Sequence, residues 1–497
     1  MTPDEILQVY EAGPEAVIAL VTRLLGIISE QSQQIALLQQ QNEHLMVRVQ
    51  ALEAQVQVLK TQLAKDSHNS GKPPSSDGLK KPAPKSLRTP SGKRPGGQPG
   101  HPGSSLAWSQ TPDQIIEHRP ECCASCGQPF TSEDTIGVQS RQVQDLPPLR
   151  LVVAEHQAYT CRCVACQQQT TAEFPVGVEA PVQYGAQVKA LGVYLTCYQL
   201  LPFARSAQLL HDLLGVSFSP GALSTAQEQC HFSLEPVTQQ IKAALIKAPQ
   251  VHFDETGARI AGHLHWLHVA TTPQMTYYET HPKRGRQATE AIGILPRFRG
   301  RAVHDGFATY RTYNCSHALC NAHHLRELTF LAEEGGFLWA QVMKRLLQEM
   351  KAAVDQAKEQ GKTDLSPPVK CNFEERYQKL LAQGHAAHPP SLPSGKRGRP
   401  PQSAGHNLVE RLDTFRVSVL AFVHDFSVPF DNNLAERDLR MMKLRLKISG
   451  GFRTENGAAI FCRIRGYLST MLKQGHHAIS VLTALLNQNI LYPDVAT

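Results

Sequence analysis

The sequence predicts a multidomain α+β protein. An N-terminal coiled coil, a small cysteine-paired β module and a helical segment precede an α/β core that a helical insertion interrupts. Three observations carry this prediction. Heptads are sustained from about residue 15 to residue 66. Two Cys-x-x-Cys pairs lie between Cys122 and Cys166, with a gap between them longer than in compact ribbon patterns. Three short alternating runs after Ala248 are followed by a helix-compatible stretch and a fourth strand. At 497 residues the chain has length for about three domains.

In the leading segment Val21, Ile28, Ile35, Asn42, Val49, Val56 and Leu63 share one heptad position. Leu24, Gln31, Leu38, Leu45, Leu52 and Leu59 share the other. β-branched residues at the first position and Leu at the second favour a parallel two-stranded coiled coil, and a single Asn at the first position fixes register at some cost in stability. At least a homodimer is therefore expected through residues 15–66.

From 67 to 110 the composition turns to Pro, Gly, Ser and Lys. SHNSGKPPSSDG and GKRPGGQPGHPG cannot build a packed core. Seven Lys or Arg and one acid lie between Lys72 and Arg94, so this linker, including Lys93 and Arg94, also suits a polyanion such as DNA. The formal charge of +7 is concentrated here and from Arg437 to Lys473, where nine Lys or Arg face two acids. No secretory signal and no apolar run of membrane-spanning length is apparent. A reducing, cytoplasmic setting is expected, and there paired cysteines read as metal ligands.

Residues 111–175 contain Cys123-Ala-Ser-Cys126 and Cys163-Val-Ala-Cys166. Two such pairs converging on one ion make a tetrahedral thiolate site of the structural zinc type, with no open position for chemistry. Cys122 and Cys161 are neighbours able to substitute. The intervening QVQDLPPLRLVVAEHQAYTC alternates like strands that would bring the pairs together. Residues 176–247 read as helices. A turn at Gly215 and a second start near Ser219-Pro220 resemble a helix-turn-helix, a pattern that plain packing also produces.

Residues 248–328 begin with VHFDETGARI, GHLHWLHVAT and QMTYYETH, an antiparallel meander with Asp254 in its first strand. A helix-compatible stretch follows from Gln287 to Leu295, then GRAVHDG, a strand ending at Asp305. After a mostly helical stretch from 329 to 419, VPFDNNLAERDLRMMKLRLKISGGFR places Glu436 near the start of a helix in 420–475. Residues 476–497 form a final helix and tail. Arg440, Lys443 and Lys447 follow Glu436 on one face, and Ala435, Leu439, Met442 and Leu446 form the apolar face. Taken alone, this helix is better described by an Asn433-x-x-Glu436 capping box and an ordinary Glu436–Arg440 pair. Acids at the ends of two neighbouring strands plus a third on a helix make a metal cage, and β-β-β-α-β is how a ribonuclease H-like core begins.

Asp254, Asp305 and Glu436 in these surroundings resemble the DDE transposases. The whole chain is similar to transposases of the insertion-sequence-66 family. The resemblance runs through the coiled coil, NSGKPPSSDG, RPGGQPGHPG, the cysteine pairs, APVQYGAQVKALGVYL, QVHFDETGARI, VHDGFATY, CNAHHLREL and VPFDNNLAERDLR. It implies a ribonuclease H-like catalytic domain that cuts and joins DNA, and a helical insertion before the third acid. Small companion proteins are commonly encoded beside such transposases, so accessory partners are also expected. The setting implied is the bacterial cytoplasm, on the nucleoid.

On this reading Asp254, Asp305 and Glu436 hold two divalent ions. Oxygen ligands and phosphate substrates select magnesium, with manganese as a substitute. Arg437, Arg440, Lys443 and Lys447 would hold the DNA backbone of element ends and target. Asp431 competes with Glu436 for the third role, Asp425 less so, and Glu255 would point to the other strand face. Cys320-Asn-Ala-His323 has the spacing of a metal pair, and also resembles an element that braces the core on a helix, the role favoured here. GKRGRPP from Gly395 looks like a minor-groove hook. Two further readings stand beside this one: a non-catalytic zinc-finger, coiled-coil DNA-binding regulator, and a ribonuclease H-like nuclease that cuts without joining.

Overall fold

The computed structural model describes residues 2–64, 100, 106–147, 149–391 and 402–495. Lys93, Arg94, most of the linker and the GKRGRPP stretch lie outside the described residues. The chain divides into two compact units, Met1–Lys85 with Cys320–Phe430, and Ser86–Leu319 with Asp431–Thr497.

Helix α1 (Pro3–Glu11) opens on a capping box. The Thr2 hydroxyl accepts from Glu5 N–H, and the Glu5 carboxylate accepts from Thr2 N–H at 2.7 Å. Helix α2 (Pro14–Ala64) is continuous for 51 residues, about 77 Å at 1.5 Å per residue. The heptad residues Val21, Leu24, Ile28, Ile35, Leu38, Leu45, Leu52 and Val56 are all exposed along it.

The cysteine-paired segment corrects one expectation. Between residues 136 and 159 no described residue joins a strand, and Val138, Val143, Leu146, Val152 and Val153 are exposed. Alternation makes a strand only where a neighbouring edge satisfies the backbone and a face buries the apolar set. Neither is present here. The module's strands are short and flank the second cysteine pair: β1 (Thr160–Arg162) runs antiparallel to β2 (Gln169–Thr171), with Cys161 opposite Thr170.

Four helices follow where the sequence put them. Helix α3 (Ala186–Val193) runs into a π turn at Tyr194–Tyr198. Helix α4 (Phe203–Leu214) ends on Gly215 at φ +67°, a left-handed cap that glycine adopts without Cβ strain. Helix α5 (Pro220–Ser233) starts where Ser219 Oγ accepts from Ala222 N–H at 3.1 Å. Helix α6 (Glu235–Lys247) then leads to the sheet. Leu195, Leu210, Val216, Phe218 and Leu223 make a small core among these helices.

The main sheet has five strands: β3 (Gln250–Ile260), β4 (His263–Thr271), β5 (Thr276–His281), β6 (Arg301–His304) and β7 (Ser316–Leu319). Helix α7 (Arg286–Ile292) lies in the connection from β5 to β6. The strand order is β5-β4-β3-β6-β7, antiparallel through β3–β4–β5 and parallel through β3–β6–β7. Val251, Phe253, Leu267, Val269 and Phe298 belong to its core.

The inserted helices are α8 (Asn321–Glu333), α9 (Leu338–Glu359), α10 (Pro367–Ala387), α11 (Ala404–Thr414), α12 (Arg416–Val419) and α13 (Ala421–His424). Helix α9 packs on α8 and α10, burying Trp339, Met343, Leu346, Leu347 and Met350. Asn321 Nδ2 donates to Val419 O at 2.9 Å, and Asn321 Oδ1 meets His324 Nδ1 at 3.0 Å.

Three helices complete the sheet-bearing unit: α14 (Asn433–Ser449), α15 (Glu455–Lys473) and α16 (Ala478–Leu486). Helix α14 packs on β3 and β4, and α15 on β5. The predicted apolar face of α14 is found: Ala435, Leu439 and Met442 are buried, and Met441 joins them. Burying such a Leu or Met side chain stabilises by roughly 1.5–3 kcal/mol. The turn after α14 needs both its glycines. Gly450 sits at φ +72°. A Cβ on Gly451, at φ +137°, would meet Arg259 O at 2.3 Å. That close approach lets Phe452 bridge to the β3–β4 turn, its N–H donating to Arg259 O at 2.8 Å.

Candidate active site

The parallel edge of the sheet brings the first two acids abreast. Pairing of β3 with β6 runs from Gln250↔Arg301 to His252↔Val303. Continuing that register two residues places Asp254 beside Asp305. There the paired register of the two strands has ended. Asp305 is held by its own turn, its Oδ1 accepting from Phe307 N–H at 2.9 Å. Asp254 Oδ1 accepts from Glu255 N–H at 2.8 Å.

The strand end before Asp305 is fixed by two neutral histidines. Gly306 N–H donates to His304 Nδ1 at 3.0 Å, which leaves the His304 proton on Nε2, 3.1 Å from His317 Nδ1. His317 Nε2 then reaches Tyr313 O at 3.2 Å. Burial pushes the His304 imidazole down to about 3, with His317 and Arg311 adding to the shift.

The third acid arrives on α14, and the residue that brings it was not legible in the sequence. Asn432, 1% exposed, donates from Nδ2 to Phe253 O at 2.9 Å. Its Oδ1 therefore faces His252 Nδ1, at 2.8 Å, as acceptor. Both contacts are on β3 immediately before Asp254, and Asn432 O accepts from Glu436 N–H at 3.2 Å. One buried amide thus joins the first acid's strand to the third acid's helix. The capping box expected at Asn433 is not formed. Asn432 is the N-cap, and its side chain is committed to β3 instead of the helix amides. Asp431 takes a local role, its Oδ1 accepting from Asn433 N–H at 3.1 Å.

The Asp254 carboxyl is pushed well above the usual range, first by burial, then by the charges of Glu255 and Asp305, with Glu436 adding to them. The three carboxylates do not all close to within 4.8 Å of one another, as like charges resist doing. A half-buried group of carboxylates is a donor set that fits a hard divalent cation, which would offset the repulsion among them. Glu255 is engaged elsewhere: its side chain is 1% exposed, pairs with Arg284 at 2.7 Å and accepts from the Tyr310 hydroxyl.

A second ionic device holds α14 from beneath. Lys473 Nζ donates to Asp438 Oδ2 at 2.8 Å, Thr271 Oγ1 at 2.6 Å, Thr276 Oγ1 at 2.7 Å and Thr272 O at 2.9 Å. Thr271 Oγ1 donates to Asp438 Oδ2 at 2.7 Å, and Tyr278 OH donates to Asp438 O at 2.8 Å. Burial lowers the Lys473 amine, while Asp438 opposes that shift. The outer face of α14 carries Arg437, Arg440, Lys443 and Lys447, all exposed.

The cysteine pairs form two matching knuckles. Cys123 N–H donates to Gln128 O at 2.9 Å and Gly127 N–H to Cys123 O at 2.9 Å; Cys163, Gln168 and Gln167 repeat this at 2.8 Å each. The Cys123 thiol is lowered by the amides of Cys126 and Ser125, the Cys163 thiol by those of Cys166 and Ala165. The two knuckles do not converge: no three of the four sulfurs lie within 4.8 Å of one another.

A family model described as the transposase IS66 family matches residues 181–460, more than half of the chain and the whole stretch that carries the three acids. The chain belongs to the IS66 family of transposases. A second model, described as a family of unknown function, matches residues 27–107 of the transposase, across α2 and the basic linker. No curated protein matches it. Among its described residues no helix is long and apolar enough to cross a membrane.

Proposed function

We propose that this transposase cuts and joins DNA at one ribonuclease H-like centre formed by Asp254, Asp305 and Glu436. What supports the proposal is the register that sets Asp254 beside Asp305 where β3 and β6 part, with Asn432 tying the helix that carries Glu436 to the strand of Asp254. The sheet order β5-β4-β3-β6-β7, with its three antiparallel and two added parallel strands, supports the ribonuclease H-like reading. The carboxylates would hold magnesium or manganese. Bound there, such an ion supplies Lewis-acid stabilisation of the phosphodiester and lowers the pKa of an attacking water. The protein's own part is placement: Asn432 and the His304–His317 pair hold two of the acid-bearing segments. The exposed Arg437, Arg440, Lys443 and Lys447 offer one to four phosphate contacts along α14.

Two other proposals follow from geometry. The amide-lowered thiols of Cys123 and Cys163, with Cys126 and Cys166, suit a structural zinc ion that would draw the knuckles together. The exposed heptad stripe of α2 suits pairing with a second copy of the chain, with Asn42 setting the register. Replacing Leu38 and Leu45 by Asp should then convert a dimer to a monomer in light scattering. A dimer that survives both changes would refute pairing through α2.

The deciding experiment combines the transposase, magnesium and DNA carrying the ends that flank its gene. Cuts leaving 3′-hydroxyls and joined products are expected, both lost in Asp305→Asn while DNA binding persists. Cutting without joining would identify a nuclease. Binding without cutting, even with companion proteins supplied, would identify a regulator.

A further inference from the structure

Resting on the reading of Asp254 and Asp305 as the reaction centre, we infer that Arg284, in the β5–α7 loop, is a second DNA-backbone site that grips a phosphate beside the acids, apart from the basic face of α14. Its guanidinium is built into place. Nε and Nη2 both reach Glu255 Oε1 at 2.7 Å. The carbon of the guanidinium lies 4.3 Å from the Phe307 ring centre and 4.9 Å from that of Trp266. Glu255, in turn, accepts from the Tyr310 hydroxyl, and Tyr310 is itself buried.

The location is set by chain connectivity. Glu255 adjoins Asp254, and Phe307 is the residue whose N–H donates to Asp305. Arg284 therefore bridges the two acid-bearing segments. Its side chain nevertheless keeps 42% of its surface exposed. A guanidinium has five N–H donors in a rigid fork. Glu255 takes two, and the outer edge meets no other acceptor among the described residues.

A cation needed only to neutralise Glu255 would gain by sinking into the same pocket. This one rests against two rings and still keeps 42% of its side-chain surface exposed. That is a pre-organised fork for the planar, bidentate recognition of phosphate. Of its basic neighbours, Arg286 pairs with Glu290 at 3.4 Å, while Lys283 is exposed and adds unstructured charge. Two carboxylates that repel a phosphodiester need a compensating cation close by, and Arg284 is placed to supply it.

The test is the salt dependence of binding to a 30-base-pair duplex of arbitrary sequence, together with cutting of the element-end DNA. Arg284→Gln should lower the slope of log affinity against log salt by about one, the signature of a single lost phosphate contact. It should also reduce cutting by on the order of tenfold or more, through misplacement of the strand. Asp305→Asn should leave that slope intact. If Arg284→Gln lowers the melting temperature by stranding Glu255, the Glu255→Gln/Arg284→Gln double variant removes both partners and gives the same readout. An unchanged slope in a folded variant overturns the inference, even if the wild type cuts. A reduced slope in a protein that never cuts upholds the phosphate site and overturns the catalytic reading instead.

Discussion

Asp254→Asn should abolish magnesium-dependent cutting, raise the melting temperature of the metal-free protein and erase most of the stabilisation that magnesium gives the wild type. The first effect follows from removing a ligand of the ion, whose stabilisation of the transition state is several kcal/mol, or on the order of a thousandfold or more in rate. The second follows from the direction of the Asp254 shift. Its folded-state carboxyl is raised by burial and by Glu255 and Asp305. A raised group contributes stability below the ordinary carboxylate pKa and loses that contribution as pH rises through the folded value. At neutral pH the ionised form therefore costs stability, and an uncharged amide relieves it. The variant keeps an oxygen to accept from Glu255 N–H, as the Asp254 carboxylate does. The third effect is linkage: an ion that binds only the folded protein stabilises it by about 2.7 kcal/mol at a hundred times its dissociation constant. Thermal melts with and without magnesium measure both shifts. A wild-type melting temperature indifferent to magnesium and manganese would refute the cage.

The parts of this site that were legible in the sequence are those with local periodicity. Alternation in VHFDETGARI and its two successors located β3, β4 and β5. Heptads located α2, and the spacing of Ala435, Leu439 and Met442 located the buried face of α14. Asp305 stood out because a carboxylate just past an apolar strand requires a reason; Asp254, expected at a strand end, instead lies inside β3, opposite Val269 of β4, because only the pairing with β6 stops before it. Contacts that join distant segments left no such trace. Asn432 meets His252 and Phe253 across some 180 positions. The pair of asparagines in DNN suggested a helix start, yet nothing local said which one would turn inward. The cysteine module erred the other way. Its alternating residues satisfied the local rule for a strand, but the chain supplies neither partner edge nor covering face there.

Lys473→Met should strongly destabilise the sheet-bearing unit, and its mate Asp438 escaped notice for the same reason. Within a run of nine cations, an acid on α14 reads as a solvated counter-charge. Instead the two side chains are 14% and 15% exposed and share one polar cluster with Thr271, Thr272 and Thr276. Removing the lysine leaves a carboxylate largely out of water with only threonine hydroxyls for company. Breaking such a pair from one side costs about 3–5 kcal/mol. For a unit of this size that lowers the melting temperature by on the order of 10 °C. Glu436 lies two residues before Asp438 on the same helix, so a loosened α14 also displaces the third acid, and cutting should fall below what lost folded protein explains. The double variant Asp438→Leu/Lys473→Met removes both charges and should recover much of the loss, giving a coupling energy of about 0.5–3 kcal/mol in a double-mutant cycle. Additive effects would show that the two side chains act separately. Recovered stability with cutting still impaired would show that the pair's role is to set the angle at which α14 presents Glu436.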